Sequence, residues 1–221
     1  MDCAEELGVV CLDIARDQPR LCILSDVPDH SILVWDWVKN QILARASARA
    51  SRAVGVSWNP QNSNVLVSSG SKLELWELVA SESGEEDFLI ADPVVALEHD
   101  DREFTAHCWG SGDTVFAGTD SGELIHLNAR TGKRVVGSDW LAVCDGAVTA
   151  LALTLKHIVV GGSDGQVSWV LISGYTVEYN TPWVHGPVCT LSLSPLYDTL
   201  LIGTTAGSIY QCELPRELLT G

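Results

Sequence analysis

Five stretches of the chain share one layout of hydrophobic and polar positions: a turn former, then alternating apolar residues, then a bulky residue. They read PDHSILVWDW, SGSKLELWEL, TDSGELIHLN, GSDGQVSWVL and TTAGSIYQCE. The bulky position falls at Trp35, Trp76, Leu127, Val170 and Cys212, so the layout recurs every 41 to 51 residues. Alternation with a period of two predicts strands. A second run precedes each one: RLCILSDV, SNVLVSSG, DTVFAGTD, KHIVVGGS and DTLLIGTT. Further upstream lie GVVCLDIA, RAVGVSWNP, EFTAHCWG, AVTALALT and PVCTLSLSP. These innermost runs are apolar on both faces or filled with small residues, the pattern of a strand covered on both sides. An outermost strand is expected after a polar turn, as in VKNQILARA and ARTGKRVVG. No long segment repeats with the helical period, so helix should be nearly absent.

A four-stranded unit returning roughly every 40–45 residues is the signature of propeller blades. The long second interval contains SESGEED, residues 81–87, which reads as an acidic loop insertion. The expected fold is therefore all-β: a β-propeller segment over 8–214, with about 19 strands at four per blade. Four blades are full (about 8–47, 48–99, 100–142 and 143–181), and residues 182–214 supply three strands of a fifth. A sheet with two apolar faces cannot bury both alone, so each blade stacks on its neighbours. The stretch Gly207–Glu213 has no following strand in this pattern and should present an open edge. Met1–Leu7 is short and acidic, a poor strand. The segment is accordingly expected to be part of a larger propeller. Five-blade closure by residues 1–7 or 214–221 is the alternative.

Particular residues carry a resemblance. Trp35-Asp36 is a WD dipeptide and Trp76-Glu77 its variant; Trp58-Asn59-Pro60 and Leu193-Ser194-Pro195 look like strand-to-turn endings. His99 and His185 precede inner strands. Together these resemble the WD40-repeat family, over nearly the whole chain. Leu127, Val170 and Cys212 stand where that family carries Trp, so its Asp–His–Ser–Trp hydrogen-bond chain is incomplete in most blades. Over about residues 21–80, ILVWDWVKNQILARA followed by VGVSWNPQNSNVLVSSGSKLELWEL is similar to cilia- and flagella-associated WD-repeat proteins. That resemblance implies a scaffold subunit of an axonemal complex, tethering or regulating dynein, in the cytoskeleton of a cilium or flagellum. A generic cytosolic WD40 adaptor is the alternative, and a propeller enzyme using its central channel a further one.

Charge narrows the partners. The 221 residues hold 13 Lys and Arg against 29 Asp and Glu, a net charge of −16. Nucleic acid and anionic membrane surfaces are electrostatically disfavoured. A basic protein surface is the natural complement. The acidic run Glu82, Glu85, Glu86, Asp87, Asp92, Glu98, Asp100, Asp101 and Glu103 concentrates the charge without a calcium-loop pattern. Its bland reading is a solvated loop. The seven cysteines include no CxxC pair and lie mostly in apolar runs, where a free thiol acts as a small hydrophobe. This suits a reducing, intracellular compartment. The first residues lack the apolar core of a secretory leader, and no apolar run approaches membrane-spanning length.

The chemical motifs favour no reaction. Thr131-Gly132-Lys133 lacks the preceding Gly of a phosphate loop, since position 127 is Leu. Gly161-Gly162-Ser163-Asp164-Gly165 leads into a strand, not the helix of a nucleophile elbow. The histidines His30, His99, His107, His126, His157 and His185 show no paired ligand spacing. No catalytic, cofactor or metal residue is assigned. Trp140 and Trp183 lie near inter-strand turns and could anchor an interface or fill gaps between blades.

Overall fold

The computed structural model describes residues 8–26, 30–48, 50–80, 88–90, 94–97, 101–181 and 183–214. They form twenty antiparallel strands in five sheets, with no helix among them. The chain divides into two compact units, residues 1–104 with 128–133, and residues 105–127 with 134–221.

The first unit holds two sheets. In the first, β1 (Val9–Ile14), β2 (Arg20–Ser25), β3 (Ser31–Asp36) and β4 (Gln41–Ser47) lie side by side in chain order. Asp36 shows what the WD dipeptide does locally: its carboxylate accepts the N–H groups of Val38 and Lys39, each at 2.9 Å, and so caps the turn into β4. The second sheet follows with β5 (Ala53–Asn59), β6 (Asn62–Gly70) and β7 (Leu73–Ala80). Its fourth strand comes in two pieces. β8 (Phe88–Ile90) pairs with Leu78–Ala80, and β9 (Val94–Ala96) pairs with Leu73–Leu75. The acidic stretch 81–87 lies outside the described residues.

The two sheets bury one shared core, in which Cys22, Leu24, Ile32 and Val34 meet Val56, Trp58, Leu66 and Trp76. Polar groups bind the same seam. The Asp13 carboxylate accepts the backbone N–H of Trp58 at 2.8 Å, and the Arg20 guanidinium donates to the Asn64 side-chain oxygen at 2.9 Å. The outer face of β1 differs from the doubly covered strand expected of GVVCLDIA. Val9, Leu12 and Ile14 are each more than half exposed, because β1 packs on β5 with one face only.

The second unit holds three sheets. The first is β10 (Phe104–Trp109), β11 (Thr114–Thr119), β12 (Glu123–Asn128) and β13 (Leu141–Ala142). The next is β14 (Val148–Leu153), β15 (His157–Gly162), β16 (Val167–Leu171) and β17 (Thr176–Asn180). The last is β18 (Val188–Leu193), β19 (Thr199–Thr204) and β20 (Ile209–Glu213). Every residue of β15 is buried, since alternate side chains enter different cores. Ile158, Val160 and Val170 pack with Phe116 and Leu124, while Val159, Val167 and Trp169 pack with Val188, Leu200 and Ile202. Glycine permits this close stacking. A Cβ on Gly118 would lie 2.2 Å from Val148 Cγ1, and one on Gly161 would lie 2.5 Å from Val188 Cγ1.

One expected strand is not there. ARTGKRVVG makes only a single bridge, between Leu127 and Arg134. Gly137 takes a left-handed φ of 85°, and the Ser138 hydroxyl donates to the His126 and Val135 carbonyls, turning the chain away. The short β13 instead occupies the edge of β12, opposite Glu123 and Leu124.

Candidate interaction groove

The motifs that resemble chemistry turn out to be turns. Gly132 has a φ of 64°, and Asn128 Oδ1 accepts the N–H groups of Arg130 and Thr131, so the TGK stretch is a tight connection. Gly165 has a φ of 86° and donates to the Gly162 carbonyl, closing the β15–β16 turn. Trp76 Nε1 donates to the Ser68 hydroxyl at 2.9 Å, the Ser–Trp part of the expected hydrogen-bond chain. His99 and most of the acidic run lie outside the described residues; Glu103 forms an exposed ion pair with Arg52 at 3.3 Å. The described cysteines are unpaired. Burial first, then the nearby Asp164 and Asp145 carboxylates, push the Cys144 thiol up to about 11, which leaves it protonated and unreactive. No group of three metal-ligating side chains exists among the described residues.

What the second unit does form is an aromatic groove of about 360 Å³ beside β20. Trp169 on β16 stands opposite Tyr179 on β17, so register alone puts both rings at one place. The connection from β17 to β18 adds Trp183, and β20 adds Tyr210. Two backbone bonds fix that connection: Val184 donates to the Gly165 carbonyl, and His185 donates to the Tyr210 hydroxyl at 3.1 Å. The rings differ in access. Trp169 is buried, whereas Tyr179 is 50% and Trp183 62% exposed. The Trp169 indole N–H is buried without a hydrogen-bond partner. Its ring meets that of His157 edge-on at 6.0 Å, and His157 Nε2 lies 2.5 Å from the Glu178 carboxylate.

The groove runs along an unusual edge. In every other sheet a further strand pairs with the third one, but among the described residues none pairs with the outer edge of β20. The last repeat thus contributes three strands among the described residues, as the pattern at Gly207–Glu213 predicts. Of the two tryptophans singled out from the sequence, Trp183 is the exposed one and lines the groove; Trp140 is half-buried elsewhere. Trp169, Tyr179 and Tyr210 escaped the sequence reading, because an aromatic residue in a strand looks the same whether it fills a core or borders a groove.

No family model matches the chain. Similarity to individual proteins is extensive but modest. WD repeat-containing protein 90 of Mus musculus is 23% identical over 93% of the chain and 12% of its own length. The chain carries WD40-type repeats. Cilia- and flagella-associated protein 43 of Xenopus laevis is 23% identical over 93% of this WD40 chain. The protein of the same name from Chlamydomonas reinhardtii is 33% identical over 57% of it. The WD40 chain spans only 16% and 8% of the lengths of these two relatives.

Proposed function

We propose that this chain is a non-catalytic interaction scaffold within a ciliary or flagellar axoneme complex, where it helps to tether or regulate dynein. The observation that carries this reading is the alignment of nearly the whole repeat array with cilia- and flagella-associated protein 43. Three features support it. The repeated sheets offer edges and loops for binding, the chemical motifs are turns, and the relatives' names describe associations. Within this reading the array spans 8–214, its setting is the cytoskeleton, and its partners are basic protein surfaces drawn by the net charge of −16.

Cross-linking mass spectrometry on isolated, demembranated axonemes that carry the tagged protein tests the reading. Cross-links from this chain to subunits of a dynein-containing complex are expected. An axoneme-bound chain cross-linked only to other structures would remove the dynein role. A chain absent from axonemes would contradict the proposal as a whole.

A further inference from the structure

We infer that Ser51, in the loop between β4 and β5, is a phosphate-acceptor site for an arginine-directed protein kinase.

Charge is unevenly spread along the chain. Residues 37–73 hold Lys39, Arg45, Arg49, Arg52 and Lys72 and not one Asp or Glu, in a chain whose net charge is −16. Three of these arginines frame the run Arg45-Ala46-Ser47-Ala48-Arg49-Ala50-Ser51-Arg52. Kinases select substrates by the charge pattern around the acceptor, and carboxylates in the kinase cleft bind an Arg placed two residues before it. In this chain Arg stands two residues before a Ser or Thr at Ser47 and Ser51 and nowhere else.

The fold separates the two. Ser47 ends β4 and is paired across the ladder with Ser31, so its backbone is already engaged. Ser51 lies outside any strand and is exposed. Its N–H donates to the Ser71 hydroxyl at 2.9 Å, and its own hydroxyl donates to the same oxygen at 3.1 Å. These are side-chain bonds that water replaces readily, not part of a sheet ladder. Beside Ser51 only Ala50 is buried, and lifting a single methyl group into the kinase cleft exposes little apolar surface. Arg49 lies outside the described residues and enters through its place in the sequence.

The step is phosphoryl transfer from a nucleoside triphosphate. Ser51 Oγ attacks the γ-phosphorus, and an Oγ–P bond forms as the bond from that phosphorus to the bridging oxygen breaks. The nucleoside diphosphate leaves, and the hydroxyl proton passes to the kinase's catalytic carboxylate. The folded chain accommodates the product. The new phosphate, of charge about −2, stands next to Arg52 and faces the turn that carries Lys72, and both of those residues are exposed. Arg52 otherwise pairs with Glu103 at 3.3 Å, with side chains 68% and 43% exposed, a weak contact in water.

The test uses the folded full chain with magnesium and ATP and two arginine-directed kinases, one cyclic-AMP-dependent and one of the protein-kinase-C type. Phosphopeptide mapping by mass spectrometry should find Ser51 as the principal acceptor with at least one of them. Ser51→Ala should remove that label, and Ser47→Ala should keep it. Arg49→Ala should lower kcat/KM by about tenfold or more, the scale of one charge-assisted contact. A peptide of residues 45–55 gives the accessible limit, and the full chain should react within about tenfold of it, as an exposed loop allows. No phosphate at Ser51 with either kinase, label centred on Ser47, or an Arg49→Ala protein that reacts like the parent would each overturn the site. So would a full chain about a thousandfold slower than the peptide, since only unfolded molecules would then be modified. All of these measurements use purified protein, so their failure leaves the axonemal reading standing.

Discussion

At the residue scale, two side chains show how burial turns ordinary polar groups into structural commitments. Ser68 is buried beneath Trp76 and accepts its indole N–H. Removing the hydroxyl strands that donor away from water. Ser68→Ala should therefore cost about 1–3 kcal/mol, read as a lower urea midpoint. His126 stacks on Phe116 with ring centroids 3.9 Å apart, and its Nε2 is buried without a partner. Burial lowers its pKa from 6.5 to about 4. Between those values the unfolded chain takes up the proton more readily than the folded one, so stability is present above pH 6.5 and lost as the pH falls toward 4. His126→Phe keeps the stacking and cannot titrate. Its thermal midpoint should fall less than that of the parent protein between pH 6.5 and 4.

At the scale of the element, the repeating contact is a glycine late in a sheet's second strand facing a valine that opens the next sheet. Gly118 meets Val148 in this way, and Gly161 meets Val188. A methyl group at Gly161 must displace Val188, which is fully buried. Gly161→Ala should destabilise the protein by about 1–3 kcal/mol, the cost of overpacking. Adding Val188→Ala should make the double variant less destabilised than the sum of the two single changes, as denaturant titration of all four proteins will show. The strands themselves were legible because alternation and turn chemistry agreed, as at Asp36 and Gly165. Legibility failed where a local hydrogen bond overrode the pattern. RVVG alternates well enough for a strand, yet Gly137 and Ser138 turn it aside. The groove was half legible. That β20 has no following strand among the described residues agreed with the count of strands in the last repeat, and Trp183 stood out beside a turn. Tyr179 and Tyr210 became visible only once the strand register placed them.

At the scale of the whole molecule, the repeat and the charge say different things. The repeat determines architecture, and its fold can serve many functions. The charge speaks to association: a net −16 favours encounter with basic surfaces and makes that encounter sensitive to salt. Reversing Glu85, Glu86 and Asp87 to Lys should slow association with a basic partner and flatten its salt dependence, measurable by stopped-flow kinetics at several ionic strengths. The central claim, a ciliary scaffold, is tested most directly by fractionating isolated cilia that carry the tagged protein. Detergent should release membrane and matrix while this chain stays with the axonemes. Its complete release into the detergent-soluble fraction would contradict the account.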